Sequence, residues 1–189
     1  PHLWVIRPAD ANETSVAWRV ALEREDGPVC LLLSRQNIPV LDRDEVAPAQ
    51  ELERGGYVLW DSSGDGELET ILISTGAEVS PTLQAARKLA EEGTKARVVS
   101  MPCMELFEAQ PEEYRERVLP ADVRARLAVE PGATMSWWKW VGSDGDVLGL
   151  DRFGASAPGT TVLEQLGFTA EGIFSRAKAL LERVSQLST

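Results

Sequence analysis

Apolar positions recur along this chain in two rhythms, and the changes from one to the other mark its elements. Leu3 to Ile6 is a short apolar run closed by Pro8, which reads as a strand. Asp10 with Glu13 three residues later predicts a capping box with Asp as the cap. The helix it opens draws an apolar face from Val16, Val20 and Leu22, with Ala17 and Ala21 between them. Asp26-Gly27-Pro28 ends the helix, and Val29 to Leu33 is a continuous apolar run, as in a buried parallel strand. Strand, helix and strand make one βαβ unit over residues 1–36, which needs further strands to form a stable sheet.

Residues 37–56 hold Pro39, Pro48, alternating charge and Gly55-Gly56 with no sustained period, the composition of an inter-domain linker. From Tyr57 the pattern turns regular. Tyr57–Trp60 and Thr70–Ser74 read as strands joined by a polar turn, a pair that could run antiparallel as a hairpin. Ser80 is placed as the cap of a helix with Pro81 at its first position and Gly93 as its stop. Strands follow at Ala96–Met101, Arg126–Glu130 and Val147–Asp151, with short helices at Met104–Phe107 and Pro111–Val118 and a tryptophan-rich turn between them. A final helix carries Ile173, Phe174, Ala177, Leu180, Leu181, Val184 and Leu187 as one apolar stripe. Strands alternating with helices over 57–189 predict an α/β domain, a mainly parallel sheet with helices on both faces.

Composition narrows the function classes. The 189 residues carry 43% hydrophobic and 26% charged residues, enough for a core without disulfide or metal staples. Cys30 and Cys103 lie in or beside apolar runs without C-x-x-C spacing and read as buried, reduced thiols of a cytoplasmic protein. No apolar run reaches membrane-spanning length. The net charge of -11 argues against nucleic acid, which wants a basic stripe. Residues 1–36 carry four Arg against five acids, so this near-neutral segment is the better neighbour for an anion.

Arg35 is the main candidate for chemistry. It directly follows a parallel strand, so it projects at the carboxyl end of a sheet, where open α/β folds bind ligands. Its guanidinium can grip a phosphate with two parallel hydrogen bonds. By composition alone an Arg after a strand is more often a surface or structural salt-bridge residue. His2, the single histidine, lies at the chain end and reads as solvent-facing, so no Ser-His-Asp, Cys-His or multi-histidine metal site can be built. No phosphate-cradling glycine motif occurs, and Gly76 in Ser74-Thr75-Gly76-Ala77-Glu78 reads as a plain turn, in which Glu78 would repel a phosphate. The run from Asp151 to Pro158 suits a packed loop, with Phe153 buried. Three indoles, Trp137, Trp138 and Trp140, cannot all face one core, and at least one is expected at an interface. Glu91-Glu92 and Glu112-Glu113 read as solvated helix faces.

Several phrases in order carry a resemblance: Val5-Ile6-Arg7-Pro8-Ala9-Asp10-Ala11-Asn12-Glu13, then Ser34-Arg35-Gln36, the Val98–Pro102 strand end with Glu105-Leu106-Phe107 after it, and the Asp151 loop. Together they resemble the carboxyl-terminal portion of transketolases. The resemblance implies three parts: residues 1–36 as the end of the thiamine-diphosphate pyrimidine-binding domain, 37–56 as linker, and 57–189 as the C-terminal domain. It implies a parent enzyme that transfers a two-carbon ketol unit between sugar phosphates, with Arg35 contacting the substrate phosphate. It further implies a cytoplasmic homodimer using thiamine diphosphate and a divalent metal (Mg or Ca). Those groups would be held by parts of the parent outside this chain, so none is expected on this fragment and no activity from it alone. The alternative is a non-catalytic α/β binding or regulatory module, with its ligand cleft near Gly76 and Ser156.

Overall fold

The computed structural model describes residues 2–187 and contains two sheets. The smaller pairs β1 (Trp4–Ile6) in parallel with β2 (Val29–Leu31) through α1 (Ala11–Glu23). The capping box is present: Asp10 Oδ1 accepts from Glu13 N at 2.8 Å, and Glu13 Oε2 accepts from Ala9 N at 2.7 Å. Val16 and Ala17 are buried, but Leu22, expected inside, is 79% exposed. The β2 strand stops at Leu31, and Leu32 and Leu33 are exposed rather than buried. A parallel strand is buried when both faces of its sheet are covered, and Leu32 and Leu33 lie beyond the end of this two-stranded sheet with no such cover.

Residues 37–56 pack down onto this unit. A 3-10 turn at Ala49–Arg54 buries Ala49 and Leu52 against Ile6, Val16 and Ala17, with Cys103 and Leu106 completing the cluster. Gly55 closes the turn at φ +78°, where a Cβ would come within 2.3 Å of Phe107 N.

The larger sheet contains β3 (Tyr57–Asp61), β4 (Thr70–Ser74), β5 (Ala96–Ser100), β6 (Ala125–Val129) and β7 (Asp146–Leu148) in the order β3-β5-β4-β6-β7. Only β3 is antiparallel, and its partner is β5, not β4 as a hairpin would require. The β4–β5 connection returns as a parallel crossover through α2 (Val79–Glu91), which seats β5 between the two. The α2 helix begins one residue before Ser80, after a 3-10 turn at Gly76–Glu78, so Ser80 lies buried in the first turn and caps nothing. Further along the chain lie α3 (Met104–Glu108), α4 (Glu112–Val118), α5 (Trp138–Val141), α6 (Gly159–Gln165) and α7 (Ala170–Leu187). The sequence pattern gave no signal for α6.

Every residue of β4 is buried, because both faces of the sheet are covered. Leu72, Val98 and Leu127 pack on one side against Leu83 and Ala86 of α2 and Ile173 and Ala177 of α7. Ile71, Ile73 and Val99 pack on the other against Phe107, Tyr114, Trp137 and Trp140. The period-two alternation of side chains divides one continuous apolar run between these two cores.

Candidate functional site

The β1–β2 unit docks on the carboxyl ends of β4 and β5 through the backbone of Arg7. Arg7 N donates to Pro102 O at 2.8 Å, and Arg7 O accepts from Gly76 N at 3.1 Å and Thr75 Oγ1 at 3.3 Å. The Arg7 side chain pairs with Glu130, just past β6, whose other oxygen accepts from Trp137 Nε1 at 2.6 Å. Arg7 directly follows β1, so the rule that singles out Arg35 could have found it, whereas Arg35 itself lies further on, in the turn beyond the end of β2 at Leu31.

Deeper in this junction lies a buried polar hub. Glu13 Oε1 accepts from Tyr57 Oη at 2.5 Å and from Ser100 Oγ at 3.0 Å. Arg43 from the connecting segment donates to Asp10 Oδ2 at 2.9 Å and to Tyr57 Oη at 3.3 Å, and Asp10 Oδ2 also accepts from Leu41 N at 3.0 Å. Burial pushes the Glu13 carboxyl up, against the opposing bonds from Tyr57, Ala9 and Ser100 and the charge of Arg43. Burial raises the Tyr57 phenol as well, helped by the neighbouring Glu13. The sequence pattern assigned Glu13 to the capping box alone. Its partners lie 44 and 87 residues away, beyond any local signal.

Arg35 sits in the turn after β2, where Gln36 N donates to Ser34 Oγ at 3.1 Å. It lines a cleft of about 540 Å³ with Ile38, Glu78, Ser80, Pro131 and Leu163. Among the described residues none hydrogen-bonds or ion-pairs with Arg35, and the side chain is exposed. The cleft lies outside the ends of β4 and β6, where the chain leaves β4 toward β5 and leaves β6 toward β7. That is the switch point of this sheet. The Gln36 side chain packs on Gly159, where a Cβ would come within 2.7 Å of Nε2, so α6 forms one wall. Gly76 lines an adjoining cleft that shares Glu78 and Pro131.

The other candidates fall elsewhere. His2 is exposed, its carbonyl accepting from Arg24 Nη2 at 2.6 Å. Cys103 is buried and its thiol is pushed up to about 12 by burial, while Cys30 is half-buried rather than fully so. Asp151 accepts from Thr134 N at 2.9 Å and Thr134 Oγ1 at 2.8 Å, a structural tie. Phe153, expected buried, is 95% exposed, because the loop after β7 runs outside both packed faces. Trp137, capping α5, and Trp140, three residues on, enter the core, whereas Trp138 between them stays exposed, a division that follows from helical spacing. Glu91, Glu92, Glu112 and Glu113 are exposed. Among the described residues no three His, Cys, Asp or Glu side chains converge to hold a metal.

The transketolase-like C-terminal domain matches residues 55–169, and the transketolase pyrimidine-binding domain matches residues 1–40. The chain belongs to the transketolase family. A transketolase of Halalkalibacterium halodurans is 50% identical over 96% of this chain and 27% of its own length. Among solved structures, transketolase from Leishmania mexicana superposes with a TM-score of 0.88 at 38% identity, covering 97% of this chain and 26% of that one. A Pichia stipitis transketolase in complex with sedoheptulose 7-phosphate gives 0.86 at 38% identity, over 96% and 25%. The chain thus spans about a quarter of the length of the transketolases it matches. Its α/β fold, a mostly parallel five-stranded sheet between helices, is the transketolase one. No described helix is long and apolar enough to cross a membrane.

Proposed function

We propose that this chain is the carboxyl-terminal part of a transketolase that moves a two-carbon ketol unit between sugar phosphates, with Arg35 gripping the substrate phosphate. The observation that carries this reading is the Arg35 guanidinium in an open cleft at the strand ends, with no hydrogen-bond or ion-pair partner among the described residues. A guanidinium fork with no partner among the described residues can take a bidentate anion. The relative solved with sedoheptulose 7-phosphate supplies the substrate class.

Residues 1–36 then end the pyrimidine-binding domain, 37–56 link, and 57–189 form the C-terminal domain. The exposed Leu32, Leu33 and Leu22 mark faces on which the remainder of the parent packs. The parent works as a cytoplasmic homodimer. When bound, thiamine diphosphate with its divalent metal supplies the carbanion chemistry. Both groups would be held by parts of the parent outside this chain. The fragment alone is inactive, and its part is to bind phosphate and pack against the rest of the enzyme.

The test is Arg35→Ala in the full-length protein. Loss of one charged hydrogen-bonding partner costs about 1.5–3 kcal/mol, roughly a ten- to hundredfold rise in KM for phosphorylated sugars. KM for unphosphorylated sugars should hold. An equal change for both would remove Arg35 from the phosphate site.

A further inference from the structure

Among the residues lining the Arg35 cleft only Arg35 and Glu78 are ionisable. A carboxylate there is an anomaly if the cleft receives a phosphate, because it would repel the charge that Arg35 attracts. The surroundings of Glu78 resolve it. Its side chain is half-buried at the start of α2 and hydrogen-bonds to no other described residue. Arg7 faces it from the end of β1, but Arg7 is already engaged by Glu130 from the end of β6. Arg35, in the turn beyond the end of β2 at Leu31, lines the same cleft as Glu78. The α2 helix brings no further ionisable group before Arg87, and the segment bearing α6 presents Ala155, Ala157, Gly159 and Thr160 to the cleft.

We propose that Glu78 sets the phosphate affinity of the Arg35 cleft through its charge: the neutral acid admits a dianion and can donate a hydrogen bond to it, whereas the carboxylate repels it. This rests on the assignment of Arg35 to the phosphate site and adds a second specificity-determining residue. Burial pushes the Glu78 carboxyl up to about 7, only partly offset by Arg7, so the switch falls in the neutral range. Affinity for an anion that keeps both its charges is therefore strongest in mild acid and weakens as pH rises.

The experiment uses the full-length protein with sulfate as the probe, because sulfate stays dianionic from pH 6 to 8 while a sugar phosphate does not. Sulfate inhibition against a phosphorylated donor is measured across that range for wild type, Glu78→Gln and Arg35→Ala. The inhibition constant of the wild type should rise about tenfold from pH 6 to pH 8, as expected for one unit charge near a dianion in a half-open site. Glu78→Gln should stay within about twofold across the range, and Arg35→Ala should bind sulfate weakly throughout. A flat wild-type profile overturns the proposal whatever the variant does. A Glu78→Gln profile that rises like the wild type overturns it while leaving Arg35 in place. An Arg35→Ala protein that still binds sulfate normally removes both assignments.

Discussion

The Tyr57 hydroxyl donates to the Glu13 carboxylate across 2.5 Å, joining the first strand of the larger sheet to the helix of the smaller one. Ser100 reaches the same oxygen, so one buried acid ties together α1, β3 and β5. Tyr57→Phe leaves Glu13 with one donor fewer in a dry site and should lower stability by about 1–3 kcal/mol in urea denaturation. Glu13→Gln turns an N–H toward donors and should cost a similar amount. The double variant should lose clearly less than the two single losses added. Strict additivity would show that the two residues are not coupled.

Gly55 and Gly93 both adopt positive φ, yet their surroundings differ. A Cβ at Gly55 meets the backbone of Phe107 and Cys103, whereas at Gly93 it meets nothing within 4 Å. Gly93→Ala should therefore cost only the left-handed backbone strain of about 1–2 kcal/mol. Gly55→Ala should cost well over that and loosen the packing of residues 37–56 on α3, visible as faster amide exchange at Phe107. Equal losses for both would contradict the close approach.

The raised Glu78 carboxyl also makes folding pH-dependent. Unfolded, Glu78 ionises near 4.5, and folded near 7, so the folded state holds its proton longer. Its stabilising contribution is complete below 4.5 and is lost as pH rises to about 7, after which it changes no further. Subtracting the pH profile of Glu78→Gln from that of the wild type should expose this decline. A difference that is flat between pH 4.5 and 7 would place Glu78 in ordinary solvent.

Cys103 is sealed beneath the 3-10 turn, and its thiol is pushed up to about 12. Native protein should therefore leave Cys103 unmodified by iodoacetamide at pH 8, with labelling only after denaturation, read by peptide mass. Rapid native labelling at Cys103 would mean that residues 37–56 lift off.

Much of this architecture is written locally. The capping residues Asp10 and Glu13 announce α1, the apolar stripe from Ile173 announces α7, and the run Thr70–Ser74 announces a buried strand, because short-range hydrogen bonds and side-chain periodicity act within a few residues. Arg35 is singled out by a local pattern too, as a charge following an apolar run, although β2 itself ends at Leu31. What only the tertiary structure decided are partnerships across long separations. These are β5 rather than β4 beside β3, Arg7 with Glu130, Glu13 with Tyr57 and Ser100, and Glu78 in the same cleft as Arg35. Local pattern fixes which face of an element is apolar, but the order of strands follows from how crossovers bury both faces of a sheet. A buried charge, in turn, finds its partners wherever that packing brings them.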